Sequence, residues 1–321
     1  MNVRRIGSGI LLVLVGHCGS ATRTAPVESP NAVGSVVESA LVPDVPPAPG
    51  VPREIVDVVA GWGWTCIANT DGTVDCWGAQ VAGLGYGSGS TAAILECARL
   101  RRIAGIDDAR DLVAGQMNAC AITAARRVRC WGGNESGQLG RGTMSPGEGI
   151  PAPPIGLPED IVELAAGSQH TCARTSGGAL FCWGDSSGGE LACRGANGSG
   201  QLGLVGYHDG TRPVEAVGID DATRVVVGEG FSAALRADGR VARWGRFATG
   251  EGGEWISLVP ADVAGIGDGI AISGGRWHVC VLRRSGAVAC RGANFRGALG
   301  DGKQGGIPPS VVRDFTVVPG L

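Results

Sequence analysis

The chain has 321 residues, of which 57 are glycine and 44% are hydrophobic, and its formal net charge at pH 7 is −3. The hydrophobic content is enough for a packed core, and the glycines show no period of three, which excludes a collagen. The small excess of acidic residues argues against a nucleic-acid-binding protein, which normally carries a basic face.

Residues 1–18 have the composition of a signal peptide. A short basic region precedes the apolar run 6–15, which is too short to span a membrane. Cys18 follows this run and is a candidate for lipidation in the manner of bacterial lipoproteins, although His17 departs from the small residue expected before such a cysteine. The alternative is a general secretory signal that is cleaved near residues 20–21. Both interpretations predict an exported protein, either a cell-envelope lipoprotein or a secreted protein.

Residues 19–52 are predicted to form a disordered tether. They contain seven prolines among Ser, Thr, Val and Ala, and proline prevents helices and central strands. Such a segment either holds a domain away from a membrane or is simply disordered after a signal peptide, and the two interpretations are compatible.

Residues 53–321 repeat a pattern in which two cysteines are ten positions apart. β-branched runs such as 55–59 and 224–227 are too short for helices and end at glycine, which predicts strands. The Asp-Gly sequences at 71–72 and 238–239 lie midway between two such runs and predict hairpins. The cysteine pairs of the repeats are Cys66 and Cys76, Cys120 and Cys130, Cys172 and Cys182, and Cys280 and Cys290.

Each pair is predicted to form a cross-strand disulfide. Directly opposed Cβ atoms of a hairpin lie about 4.5–5.5 Å apart, close to the roughly 3.5–4.5 Å that a disulfide requires. One repeat lacks both cysteines together and has Ala233 and Arg243 in their places, as expected if each pair is one bond. Metal binding, the rival interpretation, requires more closely spaced Cys or His ligands. A total of 11 cysteines also favours an exported chain over a reduced cytosolic one.

Cys97 and Cys193 lie outside the ten-residue spacing, in two insertions between repeats. They are candidates for a bridge between two loops. The alternative is that Cys193 competes with Cys182 for Cys172, because the sequence 193–195 is the same Cys-Arg-Gly as at 290–292.

The repeats resemble the regulator of chromosome condensation repeat. Residues 131–140 read Trp-Gly-Gly-Asn-Glu-Ser-Gly-Gln-Leu-Gly, and residues 167–172 end in His-Thr-Cys. The resemblance covers about residues 53–321 and implies an all-β fold, a β-propeller with four strands per repeat. We count five repeats where well-known members of the family have seven, so we expect about five blades unless degenerate sequence hides another. We also expect the N- and C-terminal strands of residues 53–321 to share one blade and close the ring, because this domain begins inside a repeat and ends with strand-like segments.

Two sets of side chains recur at equivalent positions of the repeats. His170 and His278 suggest a metal, but no third ligand accompanies them, and the family has His there as part of its repeat, so packing or hydrogen bonding is the preferred role. Trp residues follow the second cysteine position in four repeats and are expected to pack between blades rather than stack on sugars. These residues are Trp77, Trp131, Trp183 and Trp244. Trp62, Trp255 and Trp277 lie outside that series and are candidates for a surface-binding patch.

The sequence contains no phosphate-binding loop or His-Glu-x-x-His motif. We therefore expect a non-enzymatic scaffold without cofactor or metal that binds a protein partner. The alternative is a lectin-like glycan-binding propeller that uses the exposed aromatic side chains, and an enzyme with a site in the central channel is less favoured. No nucleic-acid partner is expected, and contact with a membrane is expected only through the lipid anchor. The family's nuclear member exchanges nucleotide on a small GTPase, but an exported, acidic, cysteine-rich chain argues against that role here.

Overall fold

The computed structural model describes residues 54–78, 100–185, 210–248, 254–302 and 311–318. These residues form 20 strands in five antiparallel sheets, and each sheet has four strands. The predicted signal peptide 1–18 and tether 19–52, with the lipidation candidate Cys18, lie outside the described residues. Cys97 and Cys193 also lie outside them.

Each sheet is one blade, built from four strands that are consecutive in the sequence. Blade 1 contains β1 (Ile55–Ala60), β2 (Trp64–Asn69), β3 (Val74–Gly78) and β4 (Arg101–Arg102). Blade 2 contains β5 (Ala109–Ala114), β6 (Asn118–Thr123), β7 (Val128–Asn134) and β8 (Ser145–Ala152). Blade 3 contains β9 (Ile161–Ala166), β10 (His170–Thr175), β11 (Leu180–Gly184) and β12 (Gly210–Glu215). Blade 4 contains β13 (Ala222–Val227), β14 (Phe231–Arg236), β15 (Val241–Ala248) and β16 (Glu254–Asp262). Blade 5 contains β17 (Gly269–Gly274), β18 (His278–Arg283), β19 (Val288–Ala293) and β20 (Val311–Val317).

The predicted all-β propeller of five four-stranded blades is confirmed, but the predicted closure is wrong. The N-terminal strand β1 pairs with β2, and the C-terminal strand β20 pairs with β19, so neither joins the other's sheet. The physical reason is that the repeat unit begins with the first strand of a blade. Blade 5 is therefore completed by its own fourth strand, and no strand remains to be shared.

Hydrophobic clusters between neighbouring blades form the core. Alternate residues of a strand point to opposite faces of its sheet, so each blade presents one set of side chains to the preceding blade and another set to the following blade. The described residues contain four such clusters. They include Leu112 and Trp131 between blades 1 and 2, Leu164 and Trp183 between blades 2 and 3, Val225 and Trp244 between blades 3 and 4, and Val241 and Val281 between blades 4 and 5.

The cysteines of each predicted pair are directly opposed on the second and third strands of their blade. In all four pairs the Cα atoms are 4.1 Å apart and the sulfur atoms lie at bonding distance, which is compatible with the predicted disulfides. This Cα separation is close to that of a non-hydrogen-bonded antiparallel pair, about 4.5 Å. Ala233 and Arg243 of blade 4 are opposed in the same register, so the hairpin forms there without a bridge.

The tight turn between the second and third strands places one residue of every blade in the left-handed region. Glycine fills this position in four blades, at Gly72, Gly178, Gly239 and Gly286, with φ between 79° and 95°. Blade 2 has Arg126 there, with φ of 59°. A residue with a Cβ atom is disfavoured in this conformation because Cβ approaches the following carbonyl oxygen.

We predict that Arg126→Gly stabilises the protein by about 1 kcal/mol, because glycine adopts positive φ without this steric penalty. The measurement is the free energy of unfolding in urea. The matched control is Arg127→Gly, since Arg127 has a negative φ and glycine there should instead destabilise the protein. Equal effects of the two substitutions would contradict the explanation.

We predict that replacing Cys120 and Cys130 together by alanine lowers the free energy of unfolding by about 2–3 kcal/mol, the amount expected for opening a loop of this length.

Reduction of the intact protein should add the mass of eight hydrogens for the four pairs, and two more would report a bridge between Cys97 and Cys193. A free thiol at Cys66 or Cys76 in the exported protein would refute the assignment.

Candidate functional site

The turns that join the first and second strands of each blade all lie at one end of the propeller, because the blades are equivalent and their strands antiparallel. We call this end the loop face and define it by residues 61–63, 115–117, 167–169, 228–230 and 275–277. The hairpin turns at Gly72 and its equivalents lie at the opposite end. The loop face holds two of the three aromatic residues predicted to form a surface patch, Trp62 and Trp277.

Backbone hydrogen bonds join the turns of the loop face from one blade to the next. Trp62 N donates to Gln116 O at 3.3 Å, and Gln116 N donates to Gly167 O at 3.0 Å. Further round the propeller, Glu229 N donates to Arg276 O at 2.7 Å. These bonds tie the turns to the rigid blades, so side chains on the turns are held in place before any partner arrives.

Blade 5 carries a cluster of two aromatic rings and two guanidinium groups on this face. The rings of Trp277 and Phe295 meet edge to face, with centroids 5.9 Å apart and planes at 85°. The Arg276 guanidinium carbon lies 4.4 Å from the centroid of the Trp277 ring, and that of Arg296 lies 5.4 Å from the centroid of the Phe295 ring. Both distances are within the range of cation–π interaction, about 6 Å. We call these four residues the arginine–aromatic cluster.

An ion pair fixes the position of the cluster relative to blade 4. The Arg276 guanidinium donates to the Glu229 carboxylate, and this hydrogen bond raises the pKa of Arg276. Arg296 has a φ of 55° although it is not glycine, and backbone strain of this kind is found most often at functional sites.

The three tryptophans predicted to form a patch are placed differently. Trp62 is 66% exposed at the turn of blade 1. Trp277 is half-buried against Phe295. Trp255 belongs to β16, but its side chain lies outside the described residues. Of the predicted residues, Trp62 and Trp277 lie on the loop face, and the prediction did not include the two arginines or Phe295.

A signal for the missed residues was present in the repeats. Phe295 and Arg296 occupy positions that hold Glu135 and Ser136 in the second repeat, so the fifth repeat replaces two polar residues by an aromatic and a basic one. Arg276 precedes Trp277 directly. A comparison of the repeats, position by position, reveals these substitutions in the fifth repeat.

The recurring His position is used for packing and hydrogen bonding. His170 is 1% exposed, and its Nε2 atom lies 3.0 Å from the Ser232 hydroxyl of the next blade. Burial lowers the pKa of His170 to about 4, against the opposing effects of Asp185 and of a backbone hydrogen bond with Phe231. Asn118 takes the same position in blade 2, and its side-chain amide donates to the Thr171 hydroxyl at 3.1 Å. His278 is only partly buried, and its pKa is lowered by desolvation.

The recurring Trp position is used for packing, as predicted. Trp131, Trp183 and Trp244 are fully buried, each in the cluster between its own blade and the preceding one. Trp183 Nε1 also donates to Gln138 O at 2.8 Å, across that interface. Trp77 of blade 1 is partly exposed.

A central cavity of about 400 Å³ lies between the first strands of all five blades. Its lining is mostly Val and Ala from the last residues of these strands, and none of the described residues that line it has a titratable side chain. No group of three or more His, Cys, Asp or Glu side chains in the described ranges is arranged to hold a metal ion. Within the same ranges, no helix has the length and apolar composition needed to cross a membrane.

Comparison with known proteins matches two family models, both described as regulator of chromosome condensation (RCC1) repeat, at residues 127–174 and 161–190. The regulator of chromosome condensation of Drosophila melanogaster is 35% identical over 34% of this chain and 19% of its own length. The human E3 ubiquitin-protein ligase HERC2 is 27% identical over 95% of this chain and 6% of its own length. The chain thus spans less than a fifth of these curated relatives.

Solved structures agree on the fold. Human WBSCR16 superposes with a TM-score of 0.66 at 19% identity, covering 83% of this chain and 67% of that one. Prp20p from Saccharomyces cerevisiae, whose structure was described with its binding to Gsp1p and histones, superposes with a TM-score of 0.64 at 19% identity. That superposition covers 83% of this chain and 63% of that one.

We predict that His170 makes stability depend on pH. Because the pKa of His170 is about 4 in the fold and about 6.5 when unfolded, only the unfolded chain binds the proton between these values. The free energy of unfolding should therefore fall as the pH drops from 6.5 to 4, by up to about 3 kcal/mol. His170→Asn, which copies Asn118, should remove this part of the pH dependence.

The measurement is the free energy of unfolding in urea at pH 7 and pH 5 for both proteins. Taking the difference between variant and wild type at each pH cancels the contribution of the carboxylates. His278→Asn is the matched control and should change the slope less, because His278 is less buried. Equal pH slopes for wild type and His170→Asn would refute this role of His170.

Proposed function

This chain belongs to the regulator of chromosome condensation repeat family, and we propose that it is a non-catalytic scaffold that binds a protein partner outside the cell or at the cell envelope. The observation that carries the proposal is the arginine–aromatic cluster of blade 5. Trp and Arg are the residues most enriched at the energetic centres of protein interfaces. Here they lie together on a face whose turns are held by the blades beneath.

The residues of the cluster are suited to contact a protein surface. Trp277 and Phe295 offer apolar area with little conformational entropy to lose, because each ring already packs on the other. Arg296 and the pair Arg276–Glu229 surround the rings with charge, which resembles the apolar centre and polar rim of a protein interface. Trp62 supplies a second exposed ring on the same face.

Relatives that use a similar fold to bind proteins support the partner class. Prp20p was described together with its binding to Gsp1p and histones. For the present chain we propose only the class of partner, a protein. The net charge of −3 is unfavourable for a nucleic-acid partner.

Two features support the proposed location. The cysteines of four pairs lie at bonding distance in the blades, and structural disulfides persist in oxidising compartments. The N-terminal apolar run and Cys18 fit export with lipid anchoring, and cleavage near residues 20–21 would instead release the protein. Labelling of the expressed chain with a radioactive fatty acid, compared with Cys18→Ser, distinguishes the two.

We predict that Trp277→Ala weakens partner binding roughly 30-fold, as expected for loss of about 2 kcal/mol at an interface centre. The experiment captures envelope and extracellular proteins of the source cell on the immobilised chain and quantifies them by mass spectrometry. The same capture is repeated with Trp277→Ala and Trp62→Ala. Ile150→Ala is the matched control, because Ile150 is 69% exposed in the fourth strand of blade 2, outside the loop face.

A protein that is retained by the wild type and by Ile150→Ala and lost with Trp277→Ala supports the proposal. The same chains are applied to a glycan array. A glycan signal that depends on Trp277, without any Trp277-dependent protein, would replace the proposal by the lectin-like alternative.

A further inference from the structure

The face of blade 1 that would meet a preceding blade is uncovered. Because a bulge follows the first residue of the first strand, its first and fourth residues both point to the preceding blade. In blades 2, 3 and 4 these residues are at most 8% exposed. In blade 1 the equivalent residues are Ile55 and Val58, which are 58% and 62% exposed. Trp77 belongs to the same face and is partly exposed, whereas its buried equivalents lie between blades. The buried equivalents of Ile55 and Val58 are Ala109, Leu112, Ile161, Leu164, Ala222 and Val225.

The face of blade 5 that would meet a following blade is uncovered in the same way. The first, third and fifth residues of the second strand point to the following blade. In blade 5 these are His278, Cys280 and Leu282, and Leu282 is 36% exposed. Its equivalents Ala68 and Ile122 are 0% and 5% exposed. Val288 of the third strand is also only partly buried.

Backbone contacts between blades follow the same pattern. The hairpin glycine of one blade accepts a hydrogen bond from the first strand of the next blade. Gly72 O accepts from Ala109 N at 2.9 Å, and Gly239 O accepts from Gly269 N at 2.9 Å. Around the equivalent Gly286, no atom lies within 4 Å of an added Cβ, whereas Gly72 and Gly239 are crowded by the next blade.

The two uncovered faces are complementary halves of one interface. At two of the four covered interfaces, the first residue of a second strand meets the second residue of the next blade's second strand. Asn118 meets the Thr171 hydroxyl and His170 meets the Ser232 hydroxyl in this way. By the same rule His278 on blade 5 corresponds to Thr65 on blade 1, again an imidazole and a hydroxyl.

We propose that blade 5 of one copy of this chain docks on blade 1 of a second copy. In the structure the two faces remain exposed, so blades 1 and 5 of one chain do not cover each other. A second copy presents the complementary half in the register that four covered interfaces already use. The two halves differ, so the contact is head-to-tail rather than two-fold symmetric, and repetition adds further copies until the assembly closes or becomes a filament.

The test places a charge in each half separately. Val58→Asp disables only the blade 1 face, and Leu282→Asp disables only the blade 5 face, because a buried unpaired carboxylate opposes docking. Sedimentation of the purified chain over a range of concentrations should show assemblies larger than a dimer for the wild type. Each variant alone should be monomeric, with association weakened roughly tenfold or more. An equal mixture of the two variants should form a heterodimer and nothing larger, since each retains one intact face.

The matched control is Ile150→Asp, an exposed residue of blade 2, which should assemble like the wild type. Circular dichroism and unchanged disulfide content establish that each variant is folded. A wild-type chain that stays monomeric at every concentration, a mixture that forms no heterodimer, or assemblies that persist in both variants would each overturn the proposal. These outcomes leave the loop-face proposal unaffected, because neither variant alters the arginine–aromatic cluster.

Discussion

The structure depends on one constraint, that a four-stranded sheet with two apolar faces is stable in water only when other sheets cover both. No blade here has a core of its own. Its apolar side chains are shared with neighbours, as in the cluster where Leu112 and Trp131 of blade 2 pack on Trp64 of blade 1. Stability is then a sum of contacts between nearest neighbours, as in repeat proteins generally. Three of the four cysteine pairs lie in these clusters, so they fasten their hairpins at the places where the next blade packs on them. Blade 4 has Ala233 in one of these positions, fully buried, and shows that packing forms the interface while the bridge only reinforces it.

The loop face follows from this packing. Blades held by their clusters keep their turns at fixed distances, which allows backbone groups such as Gln116 N and Gly167 O to join across blades. A side chain on such a turn loses little freedom when it binds, because the scaffold has already restricted it. The volume available between blades restricts which side chains fit at the buried positions. The turns carry no such restriction. Binding residues are therefore expected on the turns, and the cluster formed by Trp277 and Phe295 is found there.

Sequence analysis predicted the parts of the fold that repeat. The ten-residue cysteine spacing and the Asp-Gly at 71–72 specify a hairpin, because both depend only on local geometry, and the buried Trp131, Trp183 and Trp244 followed from their equivalence. Closure could not be predicted in this way. Whether β20 joins the sheet of β1 depends on where the repeat unit begins in space, and strand-like segments at both ends are compatible with either arrangement. The arginine–aromatic cluster was missed for a related reason. No other repeat has arginine at the position of Arg276, and the second repeat has serine at that of Arg296, so only the structure brings both to the two rings.

Positions at which one repeat differs from the others are informative, because packing between blades explains the positions at which the repeats agree. Blade 5 departs most at its surface. Phe295 and Arg296 replace polar residues of the second repeat. None of these changes improves an apolar interface between blades, and Trp277 with Phe295 adds exposed aromatic area next to charge. Aromatic and guanidinium groups on an exposed turn have the chemistry suited to contact with another molecule. The same reasoning applies to Leu282 and Val58, with one difference: they retain the residue types of the buried interfaces, so their proper partner is a surface built like a blade.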